Sequence, residues 1–191
     1  MRAFAICRVL AVVLGVIALA GCASSGPAAK TDMGDIPDWF TSPPTDDSYL
    51  FAPATSTSRD MQLAINKAKT QAQASIAGQL ETRLGNLTKQ FQEEVGQGES
   101  SELLEQFTSA TKVVVQQTLN GARVDQQKLL KESGVFRAYV LMSLPVGAAN
   151  QALMDKVRAN QALYTRFRAS QAFEELNKEL EQYKAEQGGQ Q

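Results

Sequence analysis

The sequence predicts an α+β fold: a small antiparallel sheet, built from one strand and a β-hairpin, packed on a long helix pair and followed by a C-terminal amphipathic helix. Three observations predict it. Apolar residues recur every three or four positions from Met61 to Val95 and again from Leu103 to Thr118. The period then changes to two between Ala122 and Leu144, and from Gly147 the composition is helical up to Gly188-Gly189.

The elements follow in order. Residues 1–8 carry Arg2 and Arg8 and no acid, and an uncharged run from Val9 to Ala20 closes on Gly21-Cys22. A bilayer-spanning helix needs about 20 apolar residues, so this shorter run, with its basic start and small-residue end, reads as a secretory signal over 1–21. Residues 23–35, with Cys22 at their head, are small and polar and lack a hydrophobic period. They read as a tether with a reach on the order of 20 Å. Order is expected from Ile36-Pro37-Asp38-Trp39-Phe40, the first aromatic mass after the signal. Trp39 and Phe40 either plug an edge of the core or form an exposed anchor for a partner.

Thr41 to Ser48 is turn chemistry, and Tyr49-Leu50-Phe51-Ala52 is a short burst suited to the first strand. The Asp46-Asp47 pair lacks further ligands at fixed spacing and reads as a solvated loop. Asp60 caps the long helix, whose core stripe is Met61, Ile65, Ala68, Ala72, Ile76, Leu80, Leu84, Leu87, Phe91 and Val95. The alanine-lined first half suits close approach to a sheet, and the bulkier second half suits another helix. Gly96-Gln97-Gly98 breaks this helix, Ser100 or Ser101 starts the next, and Asn120-Gly121 ends it, which predicts an αα-hairpin. Strands are expected over Ala122–Lys131 and Val135–Leu144, joined at Glu132-Ser133-Gly134. Phe136, Ala138, Val140, Met142 and Leu144 form the core face of the second, and Pro145 stops it.

The domain is thus expected over 36–149, one unbroken amphipathic helix over 150–187, and a disordered tail at 188–191. Phe173, Leu176, Leu180 and Tyr183 fall at 3-4-3 spacing, a narrow packing seam. Lys156, Arg158, Arg166 and Arg168 precede the acids Glu174, Glu175, Glu179, Glu181 and Glu186. An antiparallel neighbour would set opposite charges side by side, so this helix is expected to help build an oligomer. The competing reading is a helix that packs within its own subunit.

Composition narrows the chemistry. The 191 residues contain no histidine and two cysteines, Cys7 and Cys22, which removes Ser/His and Cys/His catalysis and every His-containing zinc site. With 19 basic against 20 acidic side chains, no nucleic-acid partner is indicated. Removing 1–21 takes Arg2 and Arg8 and leaves a side-chain charge of −3 on 170 residues. That balance offers anionic lipid no electrostatic hold, and a single modified cysteine permits no intrachain disulfide.

Leu19-Ala20-Gly21-Cys22 resembles the bacterial lipobox, in which diacylglyceryl is placed on the cysteine, the chain is cut between Gly21 and Cys22, and the new amine is acylated. Two or three acyl chains anchor stably where one does not. Covalent lipid on Cys22 is the only prosthetic chemistry expected, with no cofactor and no metal. Ala23 stands where an aspartate would resemble an inner-membrane retention signal, so the outer membrane is the expected address, facing the periplasm or displayed at the surface.

The lipobox, the tether, the Pro37-Asp38-Trp39-Phe40 opening, the Ala/Gln-rich helix pair and the hairpin ending Tyr139-Val140-Leu141-Met142-Ser143-Leu144-Pro145 together resemble the LPP-twenty lipoprotein family of bacterial envelopes. The likeness covers roughly 36–149. It implies a strand–helix–strand–strand domain in an outer-membrane lipoprotein, among relatives that include surface antigens and proteins associated with flagellar basal structures. It brings no catalytic residue. Phe51-Ala52-Pro53-Ala54 departs from the glycine-containing strand end of the family.

The expectation is therefore a lipid-anchored, non-enzymatic structural or assembly protein with protein partners or copies of itself. One rival is a lipid or small-ligand module, which needs a deep apolar cavity. A glycan-acting enzyme is the other, using a carboxylate pair such as Glu93-Glu94. Adjacent helical residues point about 100° apart, which favours surface charge for that pair. Asn86-Leu87-Thr88 matches a glycosylation acceptor by chance, since it lies on a helical core stripe.

Overall fold

The computed structural model describes residues 36–96 and 101–188. Gly21, Cys22, the tether, the Gly98 turn and the last three residues lie outside the described residues. The described residues belong to one compact unit.

The fold is α+β. After the single-turn helix α1 (Asp38–Thr41) come β1 (Tyr49–Ser58), α2 (Met61–Val95), α3 (Ser101–Thr118), β2 (Arg123–Glu132) and β3 (Val135–Pro145). Three helices then finish the chain: α4 (Val146–Arg158), α5 (Gln161–Phe167) and α6 (Gln171–Gly188). The strands form one antiparallel sheet in the order β1-β3-β2.

β1 is longer than the apolar burst at Tyr49–Ala52 suggests, because all ten of its residues pair with β3, from Tyr49 opposite Pro145 to Ser58 opposite Phe136. Pro53 is tolerated there because β1 is an edge strand, where a missing N–H need not break a ladder. Gln79 of α2 donates to the Phe51 carbonyl at 3.0 Å, so the helix itself occupies an acceptor of β1. The β2–β3 turn has positive φ at both central residues, 46° at Ser133 and 85° at Gly134, as a two-residue hairpin with right-handed strand twist requires. A bulge between Val124 and Gln126 interrupts the β2 register.

Asp60 caps α2 by accepting from the Leu63 amide at 2.7 Å. Ala64, Ala68, Ala72 and Ile76 are fully buried on the side that packs against β1 and β3, whose own core residues are Ala52, Ala138, Val140 and Leu144. Met61 departs from the expected stripe: it is 46% exposed, and Ala64 with Ile65 takes the buried positions of that first turn. α3 runs back along the second half of α2, as the αα-hairpin reading requires. Phe91 meets Phe107 at a ring distance of 4.9 Å, and Gln73 reaches the Leu119 carbonyl. A 3-10 turn at Leu119–Gly121 leads into β2.

The structure corrects three expectations. The core of β3 is two-sided: besides the predicted face, Tyr139, Leu141 and Ser143 on the opposite face are buried. The helix expected over 150–187 is three helices, because Asn160 and Ser170 act as N-caps: Asn160 Oδ1 accepts from the Leu163 amide at 3.1 Å, and Ser170 Oγ from the Phe173 amide at 3.2 Å. Finally, the boundary at 149/150 falls inside α4, and Leu153, Met154, Val157, Leu176 and Leu180 belong to the same core as the sheet.

Candidate functional site

Six residues were singled out in the sequence as candidate contacts, and the structure separates them. Trp39 and Phe40 sit on α1 over the outer face of the sheet. Phe40 meets Tyr139 edge-on at 5.0 Å and Trp39 meets Phe40 at 6.5 Å. Both are half-buried, and Phe40 lids the tyrosine.

The expected intermolecular seam is spent within the chain. Leu176 and Leu180 are each 2% exposed. Phe173 joins an aromatic cluster in which Phe91, Phe107 and Phe167 lie 4.9–5.4 Å from one another, itself 5.7 Å from Phe167. This cluster fastens α2, α3, α5 and α6 together. Tyr183 packs on Gly147, at the first turn of α4. The seam residues therefore dock α6 on its own subunit, the packing that the competing reading of their spacing describes. Apolar periodicity marks a face that must be covered but does not say which chain covers it.

The charge pattern resolves in the same direction. Acids of α6 engage α2 and the loop before β1 in place of the basic half of the C-terminal segment. Glu179 accepts from Arg83 and, at 2.6 Å, from the buried Asn150 amide; Glu175 accepts from Gln90 at 3.1 Å; Glu186 accepts from Ser48 at 3.0 Å. Glu94 accepts from the Gln171 amide at 2.8 Å and so caps α6 from another helix. One member of the Glu93-Glu94 pair is thus committed to a helix terminus. A polar cleft of about 400 Å³ opens where these groups meet, beside Gly147, Lys178 and Tyr183. Each Glu179 carboxylate oxygen already has a donor, so the arrangement clamps α6 to α2 and α4.

Two further surfaces remain. β2 packs chiefly on β3 and is exposed from Arg123 to Gln127. Its bulge and its charged residues Arg123, Asp125, Lys131 and Glu132 are the devices that keep an edge strand from pairing indiscriminately. The second surface is an open groove of about 640 Å³ between α2 and α3, floored by Leu84, Thr111 and Val115 and rimmed by Glu81, Lys89 and Lys112. It continues past Thr108 toward Leu104 and Glu105. No residue was assigned to this groove from sequence, although Gly85, inside a 35-residue helix that it does not break, was a signal available there.

Asp46 and Asp47 are exposed, and the Asp46 carboxylate accepts from the Ser48 amide at 2.7 Å, an Asx turn. Among the described residues, no group of three or more His, Cys, Asp or Glu stands close enough to hold a metal ion, and no helix is long and apolar enough to cross a membrane. A scan against protein-family models found no match to this chain, and a search of curated proteins found none either.

Proposed function

We propose that the chain is a bacterial lipoprotein, anchored through acyl chains on Cys22 to the outer membrane, whose α+β domain is a non-enzymatic binding and assembly module of the envelope. The anchor is supported by Arg2, Arg8, the uncharged run to Ala20 and the Leu19-Ala20-Gly21-Cys22 sequence. The likeness to the LPP-twenty family, carried by Pro37-Asp38-Trp39-Phe40 and the hairpin end at Tyr139–Pro145, supports the address and the absence of a catalytic role. The observation that carries the binding role is the α2–α3 groove, an elongated surface with an apolar floor and a charged rim. Grooves of this form accept a helix laid along them.

The small-ligand reading has less support. The space between α2 and the sheet is filled by fully buried Ala64, Ala68, Ala72 and Ile76, so the sheet does not enclose a deep apolar chamber beneath the helix.

Cross-linking of intact envelopes followed by mass spectrometry tests the binding role. Cross-links from Lys89 and Lys112, at the groove, to protein neighbours are expected. Cross-links confined to other lysines of this chain, with none from the groove, would contradict it.

A further inference from the structure

The α2 side of the groove carries a charge pair placed symmetrically about Gly85. Glu81 and Lys89 are both exposed, and each lies four residues from Gly85 on a single i±4 ridge of α2. Four residues is about 6 Å of helix rise. A second α2 helix laid antiparallel across this ridge, with the two-fold axis at Gly85, would bring Glu81 of each chain beside Lys89 of the other. Opposite charges would then meet twice.

Gly85 supplies the room for such a crossing. It is only half-buried, and a Cβ built there would meet nothing within 4 Å; Gly78, one heptad earlier, is exposed and likewise leaves its Cβ position open. Neither glycine has a positive φ. A glycine in a helix interior costs about 1 kcal/mol relative to alanine, and packing within the chain explains neither position. A neighbouring backbone crossing at Gly85 does.

We infer that the chain self-associates through this ridge, with two copies of α2 crossing antiparallel at Gly85, Glu81 paired with Lys89 of the other copy, and the flanking α3 residues Thr108 and Lys112 closing over the crossing. This deepens the reading of the groove as a protein-binding surface and names its occupant as a second copy of the chain. Exposed ion pairs contribute little affinity, about 0–1 kcal/mol each, so their part is to set register and orientation. Confinement of both copies to one membrane by their acyl chains raises the effective concentration at which the crossing forms.

Cysteine substitution in the full-length, lipidated protein tests the crossing. The mature chain has no thiol besides Cys22, which the lipid occupies, and Gly85→Cys fills open space, so the fold is retained. A disulfide needs Cα atoms about 4.4–6.8 Å apart, a separation that two helices reach only at a close crossing. Gly85→Cys is expected to give a disulfide-linked homodimer in oxidised envelopes at least tenfold more abundant than that of Lys156→Cys, at an exposed position of α4. Adding Glu81→Lys should cut the Gly85→Cys dimer severalfold, and adding Glu81→Lys together with Lys89→Glu should restore it. A Gly85→Cys dimer no more abundant than the Lys156→Cys control, or a double charge exchange no better than the single, overturns the inference. Capture of a different protein by Gly85→Cys in place of the homodimer also overturns it, while leaving the groove as a protein-binding surface.

Discussion

The ring of Tyr183 occupies the space that a side chain at position 147 would need: a Cβ on Gly147 would stand 2.0 Å from Tyr183 Cγ and 2.4 Å from its Cβ. Glycine is required there because the backbone of α4 and the side chain of α6 approach more closely than any methyl group permits. Gly147→Ala should therefore push α6 off α4 and destabilise the domain by about 1–3 kcal/mol, the usual cost of overpacking. Thermal denaturation measures the loss. Amide exchange should accelerate across Gln171–Gly188 more than across the first half of α2; uniform acceleration would contradict a local docking role.

The aromatic cluster predicts a larger effect. Phe167 is fully buried against Phe91, Phe107 and Phe173, so Phe167→Ala removes a shared contact of four helices. A loss of about 3–5 kcal/mol is expected in urea titration.

Glu179 separates a hydrogen bond from an ion pair. Arg83 and Glu179 are 36% and 37% exposed, so screening reduces their Coulomb contribution. Asn150 is 2% exposed and depends on Glu179 as an acceptor. Glu179→Gln keeps an acceptor and should cost less than about 1 kcal/mol, whereas Glu179→Ala leaves the Asn150 amide unsatisfied and should cost about 1–3 kcal/mol. Equal losses in the two variants, read by denaturant midpoint, would show that charge dominates.

The hairpin turn has an improvable residue. Ser133 holds φ at 46°, a conformation in which asparagine is better tolerated than serine. Ser133→Asn creates an Asn-Gly turn and should raise the thermal midpoint by about 1–3 °C.

Much of this fold was legible in the sequence because the strongest signals were local. The Asp60 cap, the drift of the apolar stripe from Ile65 to Phe91, the period-two run into Leu144 and the Ser133-Gly134 turn each depend on residues within a few positions of one another. The C-terminal helices were misread as one because Asn160 and Ser170, both good caps, lie in a segment without glycine or proline to mark a break. The burial of Tyr139 and Leu141 was missed for a different reason. Alternation identifies two faces of a strand, and the lid over the second, Phe40, lies about a hundred residues away in sequence. Leu176 and Leu180 show the same gap, since an apolar seam is identical in sequence whether its cover comes from the same chain or another.

The proposed lipid on Cys22 is the premise from which the proposed address and working concentration of the domain follow. Fractionation of envelopes carrying Cys22→Ser beside the unaltered chain tests it most directly. Lipid anchoring predicts that the unaltered protein sediments with the outer membrane after a high-salt wash and that the Cys22→Ser protein does not. A Cys22→Ser protein that still sediments wholly with the outer membrane would contradict it.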